Sequence, residues 1–562
     1  MVAPSRGDQM LVTKHDTFAE ICNAFQWSMP DVYNLAHDVC DRHAAQRPDS
    51  IALIQETQDG VRNFTYRDIQ RYANQTANYL KSIGLQRGDR VMILLGQDPA
   101  TAIMHVACWK AGLISTPTSV LFGAEAIAYR LQDAGVRALI TNTASYARVM
   151  EAREQAPTLQ AIMLTDGAGP GASDYWGEIA RASDAFDTLP LTPDTPALIS
   201  YTSGTTGLPK GTLHAHRVLL GHMPSMEVAL DFFPQPDDIM WSPADWSWLA
   251  GLMNVLMASW FVGIPVLTFR ATSFDPEQAM DLMGRHHVRT SILTPTVLKL
   301  LRQAPRATLG KAKLRSILSG SEAVGKDLLE WSSGALGVRV NEAFGQTECN
   351  VPMGNSWRVL EARPGSLGKA MPGHTAAIVD DEGNVLKPGK RGNLAFRRGH
   401  PVMFLEYWNQ PEATAAKYAG DWLLTGDLAY IDDDGYYWYQ GRGDDVITSS
   451  GYRIGPGEIE DALIRHPAVA MAAVIGVPDP VRTESIKAFI VLARGVTGSD
   501  ALADDIREMV RSRLARHEYP REIAFVDALP MTVTGKILRR ELREQERQRR
   551  MAQRPDTARL TR

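Results

Sequence analysis

Residues 201–211 read YTSGTTGLPKG, a run of glycines, hydroxyls and one lysine whose chemistry is the capture of phosphate. Gly204, Gly207 and Gly211 permit tight turns and let backbone N–H groups approach a ligand closely. Thr202, Ser203, Thr205 and Thr206 add hydroxyl donors, and Lys210 adds a compact positive charge. Consecutive N–H groups in such a loop form an anion-binding concavity. The order departs from the Walker A pattern GxxxxGK[ST]: Lys210 lies between Pro209 and Gly211, with no Ser or Thr beside it to hold magnesium. The loop suits phosphate but is not that of a P-loop NTPase. A flexible Gly/Ser/Thr-rich connection is the alternative on composition alone; the apolar run ALISY just before the loop weighs against it.

The elements that must hold such a loop are legible in the pattern. Short apolar runs alternate with helical patterns: RVMILLG (90–96) before a helix through Lys110, then RALIT (137–141), PALISY (196–201), RTSILTP (289–295) and LRSILSG (314–320). This is α/β architecture, strands covered by helices, whose ligands sit beyond the carboxyl ends of strands. The segment 152–196, rich in Ala, Asp, Gly, Pro and Thr, reads mostly as surface connection. Leu249–Phe269 is uncharged and nearly long enough to span a membrane, but Asn254, Gly263 and Pro265 interrupt it; a buried helix followed by a buried strand is expected. Beyond YYWYQGRGDD (436–445) the character changes to a compact α+β run with a helix near 500–516. The expected division is therefore 1–442 and 443–562, the boundary lying near Arg442 to Asp445. The Arg-, Glu- and Gln-dense tail from Arg539 reads as a solvated helix end or frayed tail.

The 562 residues exceed one ordinary core, and their balance of 44% hydrophobic and 22% charged residues is that of a globular chain. A net charge of −5 gives no reason to expect nucleic acid as a partner. Cys22, Cys40, Cys108 and Cys349 are scattered without a CxxC pair, which fits a reducing compartment and argues against a disulfide framework or a zinc site. No secretion signal and no stable membrane insertion are expected, and a cytoplasmic location is.

The 201–211 loop resembles the signature loop of the adenylate-forming superfamily: acyl-CoA synthetases, firefly luciferase and the adenylation domains of peptide synthetases. The superfamily's other motifs follow in order over roughly residues 50–545. The resemblance implies a large N-terminal α/β domain with ATP, Mg²⁺ and acyl sites (1–442) and a small, mobile α+β C-terminal domain (443–562). In LSGSEAV (318–324), Gly320, Ser321 and Glu322 would present backbone to adenine. In NEAFGQTE (341–348), Phe344 would stack on the base, Thr347 would face the α-phosphate and Glu348 would hold Mg²⁺. The continuation CNVP departs from the small Gly-rich one of many relatives, which leaves that pocket wall open. In LLTGDLAYIDDDGYYWYQGR (423–442), Asp427 would accept the ribose hydroxyls and Arg442 would reach the ribose or α-phosphate. Asp432 to Asp434 read more simply as a β-turn. Asp444 matches the hinge, Gly451 the glycine lining the pantetheine tunnel, Arg453 a phosphate contact of the second pose, and Lys536 in TGKI the catalytic lysine; Glu458 and Glu460 read as helix-start residues.

The activity so implied is ATP-dependent acid–thiol ligation: acyl-AMP forms with loss of pyrophosphate, then CoA takes the acyl group. The substrate is its own nucleophile, so positioning and charge compensation suffice. Trp246 aligns with an aromatic residue that flanks the carboxylate in relatives. Gly345 stands where acetate-specific relatives carry a wall of Trp, so acetate is expected to be a poor substrate, and Gly345→Trp to cut activity on hexanoate-sized acids more than on acetate. Each buried methylene contributes about 0.8 kcal/mol, so an open apolar slot favours longer or aromatic acids. The C-terminal string from SGYRIGPGEIE onward looks most like the medium-chain acyl-CoA synthetase branch. Expected partners are a small-molecule carboxylic acid, ATP and CoA; a homodimer and a carrier protein in place of free CoA stay open.

Overall fold

The computed structural model describes residues 12, 15–202, 208–269, 273–322, 324–442, 445, 447–449, 452–479, 483–513, 519–531 and 537–552. The contacts divide the chain into two compact units: Met1–Ala376 with Phe396–Leu423, and Ala377–Ala395 with Leu424–Arg562.

The first unit carries two sheets. One has eight strands in the order Glu406–Tyr407, Lys210–Ala215, Pro196–Thr202, Ile114–Pro117, Arg90–Ile93, Ala138–Thr141, Ala161–Leu164, Ser173–Asp174. From Pro196–Thr202 onward all neighbours are parallel; the first two pairings are antiparallel. Parallel strands covered on both faces need continuous apolar runs, and Ala138–Thr141 is buried at every position. The helix Pro99–Lys110 is likewise buried throughout; Pro99 opens it, and the Asp98 carboxylate accepts from Ala100 N–H as its N-cap. The second sheet runs in parallel from Val340–Gln346 through Ser316–Ser319, Thr290–Ile292, Met240–Trp241 and Val266–Phe269 to Ile51–Thr57. Helices Pro276–Arg285, Pro295–Leu301 and Lys326–Ala335 bury their apolar faces in its core, around Leu282, Leu298 and Leu328.

The strands expected from the apolar runs at 90–96, 137–141, 196–201, 289–295 and 314–320 are all present. So are the buried helix and strand of Leu249–Phe269: a wide-turned π-helix Ala250–Met257 passes into Ala258–Val262, ends at left-handed Gly263 (φ 77°) and continues as Val266–Phe269. Among the described residues no helix is long and apolar enough to cross a membrane. The segment 152–196 is mostly connection, as expected, but not only that. It contributes Ala161–Leu164 to the eight-stranded sheet and a helix, Tyr175–Ile179, whose Tyr175 is fully buried. A four-residue apolar run among Gly, Asp and Pro is too short to stand out.

In the second unit Asp427–Ile431, the end of strand Trp422–Ile431, pairs antiparallel with Tyr437–Arg442. The turn between them is held as expected by Asp432, whose Oδ1 accepts from Asp434 and Tyr436 N–H at 3.1 and 2.8 Å. A five-stranded sheet follows, in the order Tyr452–Ile454, Ile447–Ser449, Thr483–Leu492, Val469–Asp479, with Glu522–Phe525 beside Thr483–Leu492. Of the two expectations for the tail, a solvated helix end fits Arg539–Ala552, whose surface is largely exposed, except that one face is anchored: Leu542 is buried with Ile475, Val477 and Leu529, and Glu546 is buried against Lys487 Nζ at 2.9 Å. The architecture is a large α/β unit with a smaller α+β one, the class the sequence implies.

Candidate functional site

Thr202, the last residue of one strand, and Lys210, the first of the next, face each other in register across an antiparallel pair, at the carboxyl end of a strand that is parallel to its other neighbour. Ser203, Gly204, Thr205, Thr206 and Gly207 lie outside the described residues. This end of the strand pair is fixed by Tyr129 Oη, which donates to Pro209 O at 2.8 Å, and by Tyr201 Oη, which donates to Asp133 Oδ2 at 2.6 Å.

Thr347 and Glu348 sit in the tight turn between strands Val340–Gln346 and Asn350–Gly354. The register slips between Phe344 and Gln346, and Asn350 takes a positive φ of 51°. The turn is closed so tightly that a Cβ on Gly345 would lie 1.9 Å from Asn350 O. Gly345 is thus demanded by the backbone, whatever room it leaves for a substrate, and Gly345→Trp would not act as a wall alone. Phe344 stacks on Phe396 with centroids 6.1 Å apart. Gly320 follows strand Ser316–Ser319, and a Cβ there would lie 2.6 Å from Ala343 O, which presses its turn against the strand carrying Phe344. Ser321 is exposed with φ 76°, Glu322 is half-buried, and the turn is tied down by Val324 N–H donating to Glu342 Oε1 at 2.9 Å.

The segment Phe404–Trp408, which carries none of the expected site residues, joins these two parts. Leu405 N–H donates to Leu213 O and Trp408 N–H to Gly211 O, each at 2.7 Å, and Phe404 N–H donates to Glu348 O at 2.9 Å. Tyr407 Oη donates to Glu348 Oε1, while Lys210 Nζ lies 5.0 Å from the centroid of the same ring. Burial, reinforced by the facing carboxylate, holds the Tyr407 phenol far above its ordinary range, so it donates. Burial also pushes the His214 imidazole, on the strand that Lys210 opens, down to about 3. Lys210, Thr347 and Glu348 are therefore brought together; the signal missed in the sequence was the aromatic run FLEYW.

Glu348 is buried, with Tyr407 on one carboxylate oxygen and no protein donor on the other among the described residues. No group of three or more His, Cys, Asp or Glu among those residues could hold a metal. One free carboxylate oxygen suits Mg²⁺, which takes one or two carboxylates and completes its shell with phosphate oxygens and water. Trp246 is fully buried in the turn before the π-helix, where Asp245 Oδ1 accepts from Ser247 N–H at 2.8 Å.

In the second unit Asp427 and Arg442 face each other across the strand pair, Arg442 Nη1 standing 3.9 Å from Asp427 Oδ1. Asp427 is buried and its N–H donates to Thr425 Oγ1 at 3.1 Å. Arg453 lies on strand Tyr452–Ile454 in register with Thr448; its side chain, with Asp444, Gly451 and Lys536, lies outside the described residues. Glu460 does more than start a helix: it is buried, accepts from Val474 N–H at 2.7 Å and pairs with Arg539, which also reaches Asp445 at 3.3 Å.

Ligands of α/β sheets sit beyond the carboxyl ends of the strands, where Thr202 and Gly320 stand. The family model described as AMP-binding enzyme matches residues 40–408, and that of the AMP-binding enzyme C-terminal domain matches 458–536. The chain belongs to the AMP-binding enzyme family and is an enzyme of its acyl-CoA synthetase class. It is 36% identical over 534 residues to acyl-coenzyme A synthetase ACSM5, mitochondrial, of Mus musculus, covering 92% of this chain and 91% of that protein. It is 34% identical over 542 residues to acetyl-coenzyme A synthetase of Bacillus subtilis (strain 168), covering 95% and 94%. The crystal structure of the anthranilate CoA ligase AuaEII in complex with anthranoyl-AMP matches with a TM-score of 0.85 and 29% identity, over 93% of this chain and 99% of that one.

Proposed function

We propose that this enzyme joins a medium-chain or aromatic carboxylic acid to free CoA in the cytoplasm, using ATP and releasing AMP and pyrophosphate through an acyl-AMP intermediate. The observation that carries the reading is the meeting of Lys210 and Glu348 at Tyr407, the lysine over its ring and the carboxylate at its hydroxyl, beside a loop suited to phosphate. The acid's carboxylate attacks the α-phosphate of ATP, and the bond to pyrophosphate breaks. Lys210 and the N–H groups of the 201–211 loop hold the departing negative charge, and Thr347 holds the α-phosphate. Mg²⁺, when bound, would be held by Glu348 and would supply charge compensation on phosphate oxygens. Gly320, Ser321, Glu322 and Phe344 frame adenine, and Asp427 with Arg442 holds the ribose. Trp246 and the π-helix Ala250–Met257 line the acyl slot.

In the second half-reaction the CoA thiolate attacks the acyl carbon and AMP leaves. Lys536, which bridges the carboxylate and α-phosphate in the first step, must withdraw. Rotation of domain 443–562 about Asp444 accomplishes this and brings Gly451 and Arg453 to the pantetheine path. Lys536→Ala is expected to abolish acid-dependent ATP–pyrophosphate exchange while thioester formation from supplied acyl-AMP survives; equal loss in both steps would reject the assignment.

The likeness to the anthranilate ligase supports an aromatic acid, whereas the similarity to an acetyl-CoA synthetase does not. Pyrophosphate release over a panel from acetate to octanoate and benzoate, with free CoA as acceptor, tests the reading. Acetate turned over best would overturn the acid class, and thioester formed only on a carrier protein would overturn the acceptor.

A further inference from the structure

We infer that Tyr407 is a positioning residue of the activation step: a hydrogen-bonding spacer that aims the Glu348 carboxylate and keeps Lys210 from pairing with it. The inference rests on the reading of Glu348 as a magnesium ligand and Lys210 as a phosphate contact.

A cation and a carboxylate at one phosphate site are in conflict with each other. Left alone they would form an ion pair in a half-buried setting and neutralise the groups that ATP and its metal need. Neither takes an ion pair among the described residues; each takes Tyr407 instead. The ring offers Lys210 a π-face at 5.0 Å, an attraction that leaves the ammonium's N–H donors unspent. The phenol O–H occupies Glu348 Oε1 and leaves Oε2 to a metal. Hydrogen bonds of this kind fix a ligating carboxylate's orientation, and losing them commonly weakens metal affinity about tenfold or more.

The backbone makes Tyr407 rigid enough for the task. Tyr407 pairs with Thr212 in register, two residues beyond Lys210, and its N–H donates to Thr414 Oγ1 at 2.9 Å. Its ring packs on Phe404, centroids 5.0 Å apart, and Phe404 N–H itself holds Glu348 O. One short segment thus sets both the backbone and the side chain of Glu348.

Two substitutions separate the two roles. Tyr407→Phe keeps the ring and removes the hydroxyl; Tyr407→Leu removes both. ATP binding to the full chain is followed by calorimetry against MgCl₂ concentration, and AMP binding is followed in EDTA. Tyr407→Phe is expected to raise the Mg²⁺ concentration for half-maximal ATP binding about tenfold and leave AMP affinity within twofold of wild type. Tyr407→Leu should also weaken metal-free ATP binding, because Glu348 captures Lys210, and adding Glu348→Gln should restore it. An unchanged Mg²⁺ midpoint in Tyr407→Phe, an equal fall in AMP and ATP affinity, or no rescue by Glu348→Gln would each overturn the inference. If wild type itself bound ATP with no Mg²⁺ dependence, the reading of Glu348 would fail instead, and the inference with it.

Discussion

Gly345→Ala separates a wall from a hinge of backbone. The added methyl carbon would lie 1.9 Å from Asn350 O, 2.9 Å from Asn350 C and 3.3 Å from Val351 Cα, all main-chain atoms. Real Cβ contacts essentially never fall below 3.0 Å, so the two strands must part by about 1.1 Å where no rotamer change can relieve them. Overpacking of this kind costs about 1–3 kcal/mol. The larger effect is functional, because the strand forced away begins two residues after Glu348. Displacing a positioned group by about 1 Å can cost about 10²-fold in rate. Gly345→Ala is therefore expected to lower kcat/KM in acid-dependent ATP–pyrophosphate exchange about 10²-fold, equally for acetate and hexanoate, with circular dichroism unchanged. A pocket wall alone predicts something different: alanine nearly harmless, tryptophan harmful only to the longer acid. An alanine variant within threefold of wild type, or a loss confined to hexanoate, would refute the backbone argument.

Other expectations follow from buried charge. Burial pushes His214, His216 and His222 down to about 3 and His400 to about 4, and His374 falls well below its ordinary value. These imidazoles stay neutral in the fold while unfolded histidines protonate below about 6.5, so stability is lost as pH falls from there toward about 4, by up to about 1.4 kcal/mol per pH unit for each group. The urea midpoint should drop between pH 7 and pH 5; a flat midpoint would contradict the burial. Arg539→Met strands Glu460, which burial already biases toward protonation. A loss of about 3–5 kcal/mol in the second unit is expected from proteolysis-monitored unfolding, smaller at pH 5 than at pH 8; a loss under about 1 kcal/mol would mean that the pair is solvated.

What the sequence revealed and hid has a physical division. Parallel strands covered on both faces read as unbroken apolar runs, so Ala138–Thr141 and Ser316–Ser319 were plain. The 201–211 stretch and the Thr–Glu turn stood out as candidates because their chemistry is contiguous: glycines, hydroxyls and a cation within eleven residues, and Thr347 beside Glu348. Ala161–Leu164 was hidden by its brevity. Tyr407 was hidden for a different reason. It lies on a two-residue strand 59 residues from Glu348, and nothing local distinguishes it from any aromatic residue of a core.

Gly345 carries the sharper lesson, because its type was visible and only its cause was not. A glycine in a nucleotide motif invites the inference that something else needs the space. At Gly345 and Gly320 the nearest occupant is the chain itself: Asn350 O at 1.9 Å and Ala343 O at 2.6 Å. Both glycines draw strands together beneath the site, and that contact fixes where Phe344 and Glu348 stand. A chain with tryptophan at 345 must therefore route its turn differently. A change of acid specificity at this position then involves the backbone that carries Glu348 as well as the shape of the slot, and single substitutions here should move activation rate before they move chain-length preference.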